Sequence, residues 1–137
     1  MKMISLKNKM NTKKYYKVFF FDEETKTISA QGNATFEVGR VYDKNLPLEK
    51  LEMCSNTVYH FCENIENTWG HYDFSENCIF GEIEVLGHLL ENTMNNFDIF
   101  ASDKIKVRKI LTWAEVISLT NADNKLHQFA TQKLQYE

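Results

Sequence analysis

The run YYKVFFF, residues 15–21, packs five aromatic residues and a valine into seven positions. Rings and β-branched side chains fit a pleated, half-buried surface, so this run reads as a strand at the heart of a sheet. It leads through the polar stretch DEET to residues 26–30, which completes a hairpin. Ten Phe, six Tyr and a single Pro extend the same bias over the whole chain. At 137 residues, with 43% apolar and 26% charged residues, the chain has the length and balance of one globular domain with one core.

Turn signals divide the rest of the chain. Gly32 and Asn33 mark a turn, residues 35–38 and 40–42 read as a strand broken or bulged at Gly39, and Asn45 and Pro47 mark a loop. Residues 49–53 alternate weakly. Residues 57–62 form the next strand, with Val58, His60 and Cys62 on one face and Tyr59 and Phe61 on the other. Residues 63–72 read as a short helix or ordered loop, capped by Asn64 and ended by Gly70. Residues 79–86 alternate again, Ile79, Gly81, Ile83 and Val85 against a wetter face of Phe80, Glu82, Glu84 and Leu86; Gly87 ends the strand. Within residues 99–110 a further strand points Lys104, Lys106 and Arg108 one way and Ile105 and Val107 the other. Thr112 with Glu115 has the spacing of a capping box, which opens a helix buried through Trp113, Val116 and Ile117. Residues 121–124 interrupt it, and Leu126, Phe129, Ala130 and Leu134 outline a second. The expected fold is a single α+β domain over residues 15–137, with a mainly antiparallel, aromatic-rich sheet and C-terminal helices. Residues 1–14 read as a basic, mobile arm, with a short strand around Ile4 and Leu6 as the alternative.

Charge is segregated along the chain. Lys2, Lys7, Lys9, Lys13, Lys14 and Lys17 precede any acid, whereas residues 51–103 hold ten acids and no Lys or Arg. Such a stretch can build a coherent negative field that steers a basic partner. Glu63, Glu66, Asp73, Glu76, Glu82 and Glu84 are its candidate contact residues. The lysine-rich start could follow a phosphate backbone or fold onto an acidic neighbour; an ordered domain this acidic places direct nucleic-acid binding last. No stretch has the apolar core of a signal peptide or a spanning helix, and three cysteines without a C-x-x-C pair fit free thiols in a reducing compartment. The expected location is cytoplasmic.

Cys54, His60, Cys62, His71 and Cys78 are zinc-type ligands, but their irregular intervals lack the short knuckle of a structural site, and neither a metal nor a cofactor is expected. His60 and Cys62 share a strand face, where an imidazole could activate a thiol; no Gly-rich oxyanion loop or orienting residue accompanies them. Glu82 with Glu84 could serve as an acid and base pair or bind a cation, against the plainer reading of a solvated face. No catalytic residue is assigned.

The blocks AQGNATFEVGRVY (30–42), MCSNTVYHFCEN (53–64), FGEIEVLG (80–87), ASDKIKVRKIL (101–111) and TWAEVISLTN (112–121) together resemble, in order and spacing, a family of small phage and prophage domains of unknown function. The resemblance covers about two thirds of the chain and implies a mobile-element origin. A second similarity is to ADP-ribosyltransferase-like folds, in which a strand like residues 58–61 is followed by an aromatic residue that stacks on nicotinamide. That similarity implies a pocket of Tyr59, His60 and Tyr72 for NAD or an NAD derivative, with the transferase activity degenerate. The first expectation is a non-enzymatic phage or mobile-element protein whose acidic surface occupies the basic groove of a host nucleic-acid-binding protein, such as a CRISPR-type defence effector. The alternative is the NAD-binding protein.

Overall fold

The computed structural model describes residues 2–4, 13–30, 34–70, 77–92 and 98–136. Within them the strands are β1 (Lys2–Ile4), β2 (Tyr15–Asp22), β3 (Thr27–Ser29), β4 (Thr35–Phe36), β5 (Val41–Asp43), β6 (Tyr59–Phe61), β7 (Cys78–Val85), β8 (Leu89–Glu91), β9 (Phe100–Ser102) and β10 (Lys104–Ile110). Two helices close the chain, α1 (Trp113–Ser118) and α2 (Lys125–Gln135). All strand pairs are antiparallel, in a six-stranded sheet ordered β4-β3-β2-β7-β10-β5 and a four-stranded sheet ordered β1-β8-β9-β6. The α+β domain read from the sequence is the fold observed. Short 3-10 turns at Leu48–Lys50 and Ile65–Gly70 complete it.

The aromatic run forms β2, in the interior of the larger sheet between β3 and β7. Strict alternation splits its side chains. Tyr15 and Phe19 enter one apolar cluster, whereas Tyr16, Val18 and Phe20 belong to another on the opposite face. The first cluster lies between the two sheets, joining Tyr15, Phe19, Ile83, Ile105 and Val107 of the large sheet to Phe61 and Leu89 of the small one. Its rings meet edge to face, Tyr15 on Phe61 at 5.0 Å, Phe19 on Phe36 at 5.3 Å and Phe36 on Tyr42 at 4.9 Å between centroids. The second cluster lies under the helices, where Phe80 and Val18 meet Val116, Leu126 and Ala130, and Trp113 stands between the rings of Phe80 and Phe129. Fully buried side chains such as Phe19 and Phe80 each contribute about 1.5–3 kcal/mol. A third, smaller cluster, Leu51, Met53, Val58, Leu90 and Ala101, backs the four-stranded sheet.

The two sheets share strands. β7 continues into β8 and β9 into β10, so the pairs Leu89 with Ser102 and Val85 with Ile105 belong to one long hairpin that bends between the sheets. At the bend the amides of Leu86 and Gly87 both donate to the Lys104 carbonyl, at 2.9 and 3.2 Å. Asp103 Oδ1 accepts from the His88 amide at 2.8 Å, and its other oxygen lies 3.3 Å from His88 Nδ1. A Cβ on Gly87 would strike the Asp103 carboxylate and stand 2.9 Å from Lys104 Cβ, which is why the bend carries glycine. On the other side, Cys62 exchanges both backbone hydrogen bonds with Tyr16, at 2.7 and 2.8 Å, and ties the end of β6 to β2.

Local signals account for the helices. Thr112 Oγ1 accepts from the Glu115 amide at 3.1 Å while Glu115 accepts from the Thr112 amide at 2.9 Å, the reciprocal box expected. Asn124 Oδ1 caps α2 through the Leu126 amide at 2.9 Å, and Asn64 Oδ1 accepts from the Glu66 amide at 3.0 Å. Some details differ from the sequence reading. Lys2–Ile4, inside the segment expected to be an arm, pairs with β8. The weakly alternating residues 49–53 hold no strand, because Pro47 opens a 3-10 turn there. The turn at Gly32 and Asn33 lies outside the described residues.

Candidate functional site

Two groups of charged side chains stand out. The first lies on the half of the outer sheet face that α1 and α2 leave bare. Glu82 and Glu84 project from β7, and antiparallel pairing sets Lys106 across from Glu84 and Lys109 across from Glu82. The register shifts at Arg108, whose Nη1 is 3.7 Å from Glu82 and whose Nε donates to Glu84 at 3.2 Å. Lys14 Nζ is 3.7 Å from Glu82 on its other side. Glu82 is itself buried, at 8% exposure, so the face read as evenly solvated has a carboxylate sunk between two cations. Glu63 pairs with Lys13 at 2.9 Å, and Glu66 accepts from the Asn121 amide at 2.7 Å, fixing the 3-10 turn to the end of the helical hairpin. Asp73 and Glu76 lie outside the described residues. The segregation of charge in the sequence is thus undone in part: Glu63, Glu82 and Glu84 of the acid-rich stretch pair with cations that precede or follow it. Lys13 and Lys14 take the second role open to the basic start, folding onto acidic neighbours.

The second group surrounds β6. Tyr59 points into the inter-sheet cluster, with its ring 5.9 Å from Phe36 and 6.5 Å from Tyr42. Lys44 Nζ lies over it, 4.4 Å from the centroid. His60 Nε2 accepts from the Cys54 amide at 2.8 Å. Burial, reinforced by the ammonium groups of Lys17 and Lys44, pushes this imidazole down to about 4. Burial likewise pushes the Cys62 thiol up to about 12. A neutral ring whose acceptor nitrogen is engaged, next to a thiol held protonated, is a structural pair and not an activated nucleophile. Tyr72 and His71 lie outside the described residues. The Cys54 thiol is exposed, whereas Cys62 and Cys78 are buried. Among the described residues no three His, Cys, Asp or Glu side chains are grouped as a metal would need.

Lys17 is the residue that sequence reasoning missed. It shares the inward face of β2 with Tyr15 and Phe19, is 7% exposed, and its Nζ donates to the His60 carbonyl at 2.6 Å. The alternation that marks the strand was the available signal: a lysine in phase with two core rings. Burial pulls its amine down to about 8, opposed by Cys62 and assisted, to a lesser degree, by the Lys44 ammonium. A groove of about 530 Å³, with Ile28, Phe36 and Tyr42 in its walls and Lys26 and Arg40 at its rim, also went unforeseen. Its cations are already turned to Glu23 and Glu37.

No helix among the described residues is long and apolar enough to cross a membrane. Neither a search of curated proteins nor one of solved structures returns a match. A family model described as a domain of unknown function, DUF7666, matches residues 9–119, from before β2 through α1. The chain therefore belongs to the DUF7666 family.

Proposed function

We propose that this domain is a non-enzymatic binding protein that docks on a basic protein surface through its carboxylates. In its specific form the proposal makes it an inhibitor from a phage or other mobile element, acting on a host nucleic-acid-binding protein of the defence type. The observation that carries the reading is the exposure of the internal ion pairs. Lys13 and Glu63 keep 47% and 41% of their side-chain surface, Arg108 and Glu84 43% and 32%, and Lys14 58%. Pairs this open are worth about 0–1 kcal/mol, so a partner's Arg or Lys can replace the internal cation at little cost. The stretch of 53 residues without Lys or Arg supports the basic character of that partner.

Chromatography on immobilised poly-lysine and on heparin, each eluted with salt, tests the proposal. The protein is expected to be retained by poly-lysine and released by moderate salt, as screened electrostatic contacts are. A Glu63→Gln/Glu84→Gln double variant should elute earlier; Glu82 is spared because it is buried. Retention by heparin alone would overturn the reading in favour of an anionic partner. A second reading, a binding protein for NAD or an NAD derivative, draws support from Lys17 and Lys44, which set two ammonium groups beside Tyr59 and His60. Heat on titration with NAD or ADP-ribose would favour it.

A further inference from the structure

Lys17 occupies a position where the strand pattern calls for an apolar side chain. Its amine reaches the His60 carbonyl, and among the described residues it forms no ion pair. Lys44, in the chain after β5, brings a second ammonium group onto the ring of Tyr59, again without an ion pair among the described residues. Two cations therefore converge on adjacent residues of one short strand, one of them in the junction between the sheets. Buried charges in folded proteins are ordinarily paired. Cys62 is the neighbouring group whose charge would favour the Lys17 ammonium. His60 is neutral and turned to the Cys54 amide, and the Cys62 thiol is held protonated. Asp43, which acts on Tyr59, already accepts from the Asn45 amide at 2.8 Å and faces Lys104 at 4.0 Å, and Asp98, which acts on Cys62, accepts from the Glu63 and Asn64 amides.

We propose that the Lys17 and Lys44 ammonium groups form a binding position for a small oxyanion of the phosphate class, free or carried on a ligand. An ammonium group has three donors, and Lys17 directs one to the His60 carbonyl. A tetrahedral oxyanion has enough oxygens to meet two ammonium groups at once, and lysine binds phosphate as a point charge without needing a fixed fork. Lys44 is only partly buried, so it marks the side from which the anion enters. Occupancy would also favour the charged form of Lys17, whose amine is otherwise pulled down by burial and by Lys44. Binding near pH 8 should then take up protons.

Thermal melts at pH 8 in inorganic phosphate, against chloride of equal ionic strength, test this. Phosphate is kept at low millimolar concentration, where its general stabilising effect as an excluded salt is small. The wild-type midpoint is expected to rise by roughly 3 °C or more. The rise should be lost in Lys17→Met and largely lost in Lys44→Gln; if the first variant does not fold, the second decides. Calorimetry of phosphate binding in two buffers of different ionisation heat should show proton uptake. No rise beyond chloride, or the same rise in both variants, overturns the proposal. ADP-ribose tested beside inorganic phosphate tells a ligand-borne phosphate from a free one. The residues differ from those tested on poly-lysine, so this inference and the carboxylate-docking reading fail separately; it shares Lys17 and Lys44 with the NAD reading, from which a response to inorganic phosphate without one to ADP-ribose separates it.

Discussion

Lys17 and His60 are bases held inside the fold mainly by burial, and each leaves its own mark on stability as pH changes. Lys17 titrates at about 8 in the folded state against 10.5 when exposed, so between these values the unfolded chain binds more protons and stability rises with pH. Below pH 8 the cost of the buried charge is fully present. Cys62, raised from 9.0 to about 12, acts with the opposite sign above pH 9, which leaves pH 8–9 as the window where Lys17 shows best. His60, lowered from 6.5 to about 4, makes the unfolded chain the better proton acceptor in that range, so stability is lost as pH falls from 6.5 towards 4. Urea midpoints measured from pH 4 to 9 in chloride buffer should therefore climb in two separate steps. In Lys17→Met the upper step should vanish while the lower one stays, and the variant should be at least as stable as wild type at pH 7, since it replaces a buried charge with an apolar chain. A wild-type profile flat from pH 8 to 9 would mean that the Lys17 amine is hydrated.

Among the elements, α1 depends most on local chemistry. It is six residues long, too short to persist alone, and is held by its capping box and by Val116 beneath it. Thr112→Ala should cost about 1 kcal/mol, read as a lower denaturant midpoint at unchanged slope. Glu115, held down to about 2 chiefly by Lys109 and then by the Thr112 amide, makes a contribution that is present above pH 4.5 and lost as pH falls towards 2. This helix, β2, β3 and β7 are legible in the sequence because their signals are local: alternation, turn residues and a cap three residues from its partner. What was not legible is which segments lie side by side. β7 and β10 read separately as an acidic strand and a basic one, and only their pairing shows that Arg108 is placed between Glu82 and Glu84. Lys17 could be assigned to an inward face from its phase alone, but the carbonyl it meets lies 43 residues away, beyond any periodic signal. The ring neighbours of Tyr59 were hidden for the same reason, since Phe36 and Tyr42 reach it only through the fold.

At the scale of the whole molecule, the bent hairpin decides how the protein opens. β7 and β10 are paired interior strands of the large sheet, and their continuations β8 and β9 hold the centre of the small one. Solvent cannot reach one ladder by peeling it away while the other stays whole, because the same two lengths of backbone carry both. The amides of Leu90 and Val107, in different sheets, should therefore exchange with deuterium through a shared global event, with protection factors that rise by the same ratio when the protein is stabilised. Exchange at Leu90 that is orders of magnitude faster than at Val107 would mean that the small sheet detaches alone. If the two move together, the domain is a single cooperative unit despite its two ladders, and whatever tightens the junction around Lys17 will slow exchange at the bare charged face as well.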